Sequence, residues 1–177
     1  MTISLAIDTS TSRTIVGLVD GSKVLFESFS EGATDHGRAV SDLVAQALAN
    51  NPAPDQVVVG MGPGPFTGLR VGIAFARTFA LSREIPVIGI CSLDAIAIDE
   101  VEYTVAIDAR RKEIYWARYS GGRRVEGPSV NKPDEVSDFI IDQYPSVAEL
   151  VRQSTLQNAN EPFYLRRPDA VPTAERA

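Results

Sequence analysis

An internal repeat constrains this chain more than any other feature. Leu5-Ala-Ile-Asp8 returns one hundred residues later as Val105-Ala-Ile-Asp108. In both copies Ala-Ile-Asp ends an apolar run that reads as a strand, and a polar turn follows. A second strand comes next in each copy, over residues 14–19 and again over 114–119. Asp20-Gly21 and Gly121-Gly122 then read as hairpin turns. Residues 23–28 return as a third strand and complete an antiparallel meander in the first copy.

Residues 35–49 read as an amphipathic helix, because Val40, Leu43, Val44, Ala47 and Leu48 keep the i, i+3, i+4, i+7, i+8 spacing. Asn51-Pro52-Ala53-Pro54 ends it. A buried strand over 56–60, a helix over 67–83, a strand over 86–90 and a short helix over 92–98 complete the first copy. In the second copy Pro133 leads into a predicted helix over 134–143, and a short helix follows over 146–153. Two meander-plus-helix lobes in tandem are the plan of the actin-like, ribonuclease-H-like fold. The expected class is α/β, a duplicated two-lobed fold with the second lobe shortened. Expected boundaries are 1–98 for the N-terminal lobe, 99–168 for the C-terminal lobe and 169–177 for a disordered tail.

Between the strand at 56–60 and its following helix runs Gly60-Met-Gly-Pro-Gly-Pro-Phe-Thr-Gly-Leu-Arg-Val-Gly72. A glycine-rich strand-to-helix turn normally suggests phosphate binding. Here Pro63 and Pro65 have no N–H to donate, and no Lys follows Gly68. The segment therefore reads as shape, a stiff entry into a helix capped by Thr67. Within that helix Gly68, Gly72, Ala76 and Ala80 form a stripe of small side chains, which lets another helix approach closely. The stripe reads equally as packing inside the chain's own core or as a docking face for a partner protein. Val71, Phe75 and Phe79 run beside it.

Catalytic chemistry finds little support. Asp8 and Asp108 stand where actin-like ATPases keep their paired carboxylates. Asp8-Thr-Ser-Thr-Ser12 and Asp108-Ala-Arg-Arg-Lys112 lack the glycine that brings a backbone close to phosphate. The structural alternatives are an Asx turn at Asp8 and an ion pair from Asp108 to Arg110 or Arg111. His36 is the single histidine and reads as a surface or capping residue. The single cysteine, Cys91, follows an apolar run and reads as a buried small hydrophobe. No catalytic residue, cofactor site or metal site is expected.

The net charge of -6 opposes nucleic-acid binding by the chain alone, since phosphate contacts need clustered cations. The basic groups are short: Arg110-Arg111-Lys112, Arg123-Arg124 and Arg166-Arg167. No basic leader with an apolar core precedes the first strand, and no run of 18 apolar residues exists. A cytoplasmic location is expected.

Several of these segments together resemble the TsaB (YeaZ) family. They are Leu5-Ala-Ile-Asp-Thr-Ser-Thr11, Gly62-Pro-Gly-Pro-Phe-Thr-Gly-Leu-Arg-Val-Gly72, Ile85-Pro-Val-Ile-Gly-Ile-Cys-Ser-Leu93, Ala106-Ile-Asp-Ala-Arg110 with Glu113-Ile-Tyr-Trp-Ala117, and Glu161-Pro-Phe-Tyr-Leu-Arg166. The resemblance implies a non-catalytic scaffold subunit that pairs with the paralogous enzyme TsaD. With TsaE they move threonylcarbamoyl to the adenosine beside the anticodon of tRNA. The catalytic paralogue's metal-binding histidine pair falls here on Ser92 and Ile96. The second lobe is also shorter than the family's usual pattern. The competing reading is a stand-alone ATPase or glycoprotease-like hydrolase, which the missing histidines oppose. The resemblance implies partner contacts concentrated in the first lobe; together with the helix patterns, it leads to an expected partner face on the first two helices at Val40, Leu43, Val44, Ala47, Gly68, Gly72, Ala76 and Ala80. Part of that set is expected to be exposed in the free chain. A homodimer through the same helices is expected in isolation, with tRNA met only through the complex and no membrane contact.

Overall fold

A computed structural model describes residues 2–32 and 35–166 of the protein; the tail at 169–177 lies outside the described residues. The chain opens with the meander β1 (Ile3–Asp8), β2 (Arg13–Asp20) and β3 (Lys23–Glu31). It continues through α1 (His36–Ala49), β4 (Gln56–Gly60), α2 (Phe66–Ser82) and β5 (Val87–Ile90). These strands form one sheet in the order β3-β2-β1-β4-β5. β4 lies parallel to β1 and to β5, while the meander is antiparallel. A second sheet holds β6 (Glu102–Asp108), β7 (Ile114–Ser120), β8 (Arg123–Asn131) and β9 (Phe139–Ile140) in the order β8-β7-β6-β9. A last helix, α3, spans Val147–Ser154.

Strand alternation sends neighbouring side chains to opposite faces, and the first sheet is covered on both. Leu5, Ile7, Val57 and Val59 meet Val40, Leu43, Val44 and Ala47 of α1 and Leu69, Ile73, Ala76 and Ala80 of α2. The opposite face, with Ala6, Ile15, Val19, Val58 and Ile90, is covered by Val147, Leu150 and Val151 of α3. α3 follows the second sheet in sequence yet packs on the first. Ser146 caps it, its Oγ accepting the Glu149 N–H at 3.2 Å.

The segment after α3 runs along β5, the edge of the first sheet. Gly89 donates its N–H to Asn158 Oδ1 at 3.1 Å, and Ala159 donates to Gly89 O at 2.6 Å. Phe163 donates to Met61 O at 2.8 Å. Phe163 packs against both sheets' cores, and Leu165 against the second. Arg166 pairs with Glu113 on the β6–β7 connection. This strap ties the two sheets together.

Three expected elements are corrected. The helix over 134–143 is replaced by a 3-10 turn at Pro133–Glu135 and the two-residue strand β9. Asp138 and Asp142 take left-handed φ of 52° and 64°, which no α-helix tolerates, and Phe139 and Ile140 pair with Thr104 and Val105 of β6. The helix over 92–98 contracts to a single 3-10 turn, Ser92–Ala95. Thr67 is not the cap of α2. The helix starts one residue earlier, Pro65 precedes it, and no side chain caps it.

Candidate functional site

The Asp8 region is closed by the chain's own loop. Asp8 is fully buried at the end of β1. Its Oδ1 accepts the Ser10 N–H at 2.8 Å and the Ser10 hydroxyl at 2.6 Å. That is the Asx turn expected there. Its Oδ2 accepts the Ser92 hydroxyl at 2.6 Å, and Ser92 Oγ accepts the Gly62 N–H at 3.1 Å. A Cβ on Gly60 would stand 1.8 Å from Asp8 Oδ2. The glycine-rich segment therefore lies against the carboxylate where a phosphate oxygen or metal ion would have to sit. Burial pushes the Asp8 carboxyl above its usual range, against the pull of its hydrogen bonds to Ser10 and Ser92.

The small stripe of α2 faces the same turn. Thr9 Oγ1 donates to Gly68 O at 2.8 Å, and a Cβ on Gly72 would come within 2.3 Å of Thr9 Oγ1. The stripe's close approach is thus to the strand end and turn of its own chain. All eight residues expected at a partner face, Val40, Leu43, Val44, Ala47, Gly68, Gly72, Ala76 and Ala80, are buried within the chain. The expectation that some of them are exposed is corrected: core packing uses the full set. The helices' outward residues are different, among them Ala45 and Ala49 on α1 and Ala74, Thr78 and Leu81 on α2. Phe75 and Phe79 are half-buried beside them and stack at 6.1 Å.

His36 is buried, which corrects its reading as a surface residue. Its Nδ1 lies 2.7 Å from Thr14 Oγ1, and its ring lies 3.0 Å from where a Cβ on Gly68 would stand. Burial lowers its pKa below 6.5, with Arg110 adding to the shift and Asp8 opposing it. The folded chain binds this proton less readily than the unfolded chain. The stability His36 contributes is therefore present above pH 6.5 and lost as pH falls through the folded value. Asp8, with its raised pKa, titrates in the opposite sense, so the comparison must be differential. Between pH 7.5 and 5.5 the urea midpoint should fall more for the wild type than for His36→Gln. Equal slopes in both proteins would remove His36 from the pH dependence.

Asp108 differs from Asp8 in its surroundings. It is exposed, and its Oδ1 accepts the Arg110 N–H at 2.8 Å, an Asx turn matching the one at Asp8. It lines an inter-sheet cleft of about 240 Å³ with Thr11, Ser12, Arg110, Asp142 and Tyr144. That is below the ~300–1,000 Å³ of ordinary small-molecule pockets. Among the described residues no group of three or more His, Cys, Asp or Glu is arranged to hold a metal ion. Ser92 is spent on Asp8, and Ile96 is buried in the second core. Cys91 is buried, and that burial pushes its thiol up to about 12. No helix among the described residues is long and apolar enough to cross a membrane.

Sequence reasoning missed one polar centre. Asp94, buried in the 3-10 turn after β5, accepts the Tyr119 hydroxyl at 2.7 Å and Gln157 Nε2 at 2.7 Å. Arg124 Nε lies 3.0 Å from the same carboxylate, and Gln153 Nε2 donates to the Asp94 carbonyl at 3.1 Å. Burial and the adjacent Asp94 carboxylate push the Tyr119 phenol well above its ordinary range. The hub joins β7, β8 and α3 to the first sheet. Its members lie far apart in sequence with no spacing rule to announce them.

Two mixed sheets, each led by a strand ending in Ala-Ile-Asp and followed by a polar turn, define a two-lobed α/β protein of actin-like plan. The profile described as "TsaD: tRNA N6-adenosine threonylcarbamoyltransferase" matches residues 30–170. The chain belongs to this family, on its TsaB (YeaZ) branch. An uncharacterized protein of Mycobacterium tuberculosis is 39% identical over 199 residues, covering 96% of this chain and 94% of that one. That alignment is longer than the 177-residue chain, so the relative carries segments without a counterpart here. The TsaB protein of Escherichia coli, a "tRNA threonylcarbamoyladenosine biosynthesis protein", is 34% identical over 125 residues, 65% of this chain. The chain spans 54% of that TsaB and 57% of a Mycobacterium leprae relative. Among solved structures, YeaZ from Pseudomonas aeruginosa superposes with a TM-score of 0.76 at 23% identity, covering 88% of this chain and 92% of that one. A second Pseudomonas aeruginosa structure, described as similar to peptidase YEAZ, reaches 0.81 at 22% identity, covering 94% and 100%. These likenesses concern the fold.

Proposed function

We propose that the chain is a non-catalytic partner subunit that pairs with a TsaD-type enzyme acting on tRNA. The observation that carries this reading is the filled Asp8 site. A carboxylate whose two oxygens already accept three hydrogen bonds, with Gly60 packed against it, has no room for a nucleotide phosphate. Likeness to proteins named for tRNA threonylcarbamoyladenosine biosynthesis supports threonylcarbamoyl transfer to tRNA as the reaction the pair serves. In this reading TsaE is a further member of the complex and the location is the cytoplasm.

The pairing face in this reading is the outer surface of α1 and α2. Ala45, Ala49, Ala74 and Leu81 are exposed there, and Leu81 is 80% exposed. Small and apolar side chains on two adjacent helices suit a helix pair from a partner. The same surface joins two copies of the chain when the partner is absent. The eight buried residues support that surface from beneath.

The test is co-elution with a TsaD-type protein. The wild type should form a 1:1 complex. Ala74→Glu should fold normally and pair at least tenfold more weakly, because an unpaired charge would be desolvated in the joint. A wild-type chain that never co-elutes, or a variant that pairs unchanged, would each count against the reading.

A further inference from the structure

The cavity beside the Asp94 hub is larger than the inter-sheet cleft and plays no part in the pairing described above. It encloses about 440 Å³, inside the ~300–1,000 Å³ range of ordinary small-molecule sites. Its walls are the β7–β8 hairpin and the C-terminal end of α3 with the residues just after it. α3 covers the face of the first sheet opposite α1 and α2. The cavity therefore lies apart from the outer surface of those two helices, and it is present whether or not the chain pairs.

Strand β8 is bent to make one wall. Its pairing with β7 slips twice, between Trp116 and Arg118 and between Arg118 and Tyr119. The second slip leaves Val125 as an extra residue between Glu126 and Arg124. Such bulges bend a strand, re-aim its side chains and recur beside binding sites. Here the slip sets Arg124 opposite Tyr119, and both reach Asp94. The floor is thus a fixed set of buried polar groups. Gln157 Nε2 completes it, donating to Asp94 Oδ2 at 2.7 Å and to Gln153 Oε1 at 3.1 Å. The rim is apolar and open to water: Val125 is 61% exposed and Leu156 70%.

The charges around the cavity are mostly spoken for. Asp94 is held by Arg124, and Glu126 pairs with Arg118 at 2.9 Å. Arg123 is exposed at the mouth and, among the described residues, has no hydrogen bond or ion pair. Asp99, Glu100 and Glu102 lie on the connection that meets the hairpin turn, where Gly121 donates its N–H to Val101 O at 2.8 Å. None of those three lines the cavity. They keep the wider neighbourhood acidic, so a bare anion gains little there. A ligand must draw its affinity from the apolar rim and use Arg123 for one directed contact.

We propose that the cavity binds a small amphipathic carboxylate, a molecule with one compact apolar group and one carboxylate. The apolar group sits against Val125 and Leu156 and removes them from water. The carboxylate meets the Arg123 guanidinium, whose planar fork matches it. The floor is already hydrogen-bonded within itself, so it fixes the shape of the site without leaving a buried polar group for the ligand to satisfy.

The probe is N-acetyl-L-leucine, titrated to ~20 mM into the isotope-labelled full chain and followed by amide correlation spectra. Shifts should cluster at residues 119–127 and 153–157 and saturate with a Kd of about 1–5 mM, as so few atoms allow. The uncharged N-acetyl-L-leucine amide should bind at least about fivefold more weakly. Arg123→Gln should level the two probes. Leu156→Ser, on the exposed rim, should weaken both at least about threefold and leave the rest of the spectrum unchanged. The absence of saturable shifts at these residues by ~20 mM would overturn the proposal, as would shifts centred on Leu81 of α2. Equal binding of the amide by the wild type would overturn the carboxylate class. Sodium acetate binding as tightly as the probe would mark a plain anion site and overturn the role of the rim. Unchanged affinity in both variants would show that the probe binds elsewhere.

Discussion

Gly72→Trp should leave no cooperatively folded chain. Even a Cβ at Gly72 would meet Thr9 Oγ1 at 2.3 Å, and Thr9 is itself tied to α2 through Gly68 O. An indole can be accommodated only if α2 leaves the sheet. That would uncover Leu69, Ile73, Ala76 and Ala80 on the helix and Leu5, Ile7, Val57 and Val59 beneath it. Ordinary overpacking costs about 1–3 kcal/mol. A whole aromatic ring against a turn at the end of the central strand should exceed that and consume most of the ~5–15 kcal/mol available to a domain. Far-UV circular dichroism and a urea titration decide the matter. A cooperative transition within ~1 kcal/mol of wild type would show that α2 does not press on the Asp8 turn as described. Ala74→Glu is the control, since it places its side chain in solvent on the same helix.

The second large effect is expected at the polar hub. Arg124→Ala removes the cation beside Asp94 while leaving the carboxylate buried. A stranded buried charge of this kind costs ~3–5 kcal/mol. The lower end applies, because Tyr119 and Gln157 still donate to Asp94 and the Arg124 side chain is 22% exposed. The loss should appear as a reduced urea midpoint with little change in slope. Adding Asp94→Asn to that variant should recover part of the loss, since the uncompensated charge is then gone. If the double variant is no more stable than the single one, the charge of Asp94 is not what Arg124 balances.

The first lobe was legible in the sequence because its constraints are local. Val57-Val58-Val59 reads as a buried strand from composition, and Val40, Leu43, Val44 and Ala47 mark one helical face from spacing alone. The spacing says that a face is buried but not what buries it. The small stripe of α2 therefore read equally as an internal contact or an external one, and the structure places it against Thr9. The segment at 134–143 failed for a related reason. Val136, Phe139 and Ile140 fit a helical period, yet Phe139 and Ile140 pair with Thr104 and Val105, more than thirty residues away. His36 looked superficial because one polar residue at a helix start normally is. Its burial follows from Thr14 on a neighbouring strand and Gly68 on another helix. The hub around Asp94 draws on four separate elements and leaves no periodic trace.

The return of α3 to the first sheet bears on how the chain is made. A ribosome delivers β1 to β5 with both flanking helices long before it delivers Val147, Leu150 and Val151. Through the synthesis of the whole second sheet, Ala6, Ile15, Val19, Val58 and Ile90 have nothing over them. The edge of β5 stays unpaired still longer, until Ala159 reaches Gly89. At ~5–20 residues per second the nascent first lobe spends several seconds in that half-covered state, open to chaperones and to neighbouring chains. The lobe that is translated first is thus the one that is finished last.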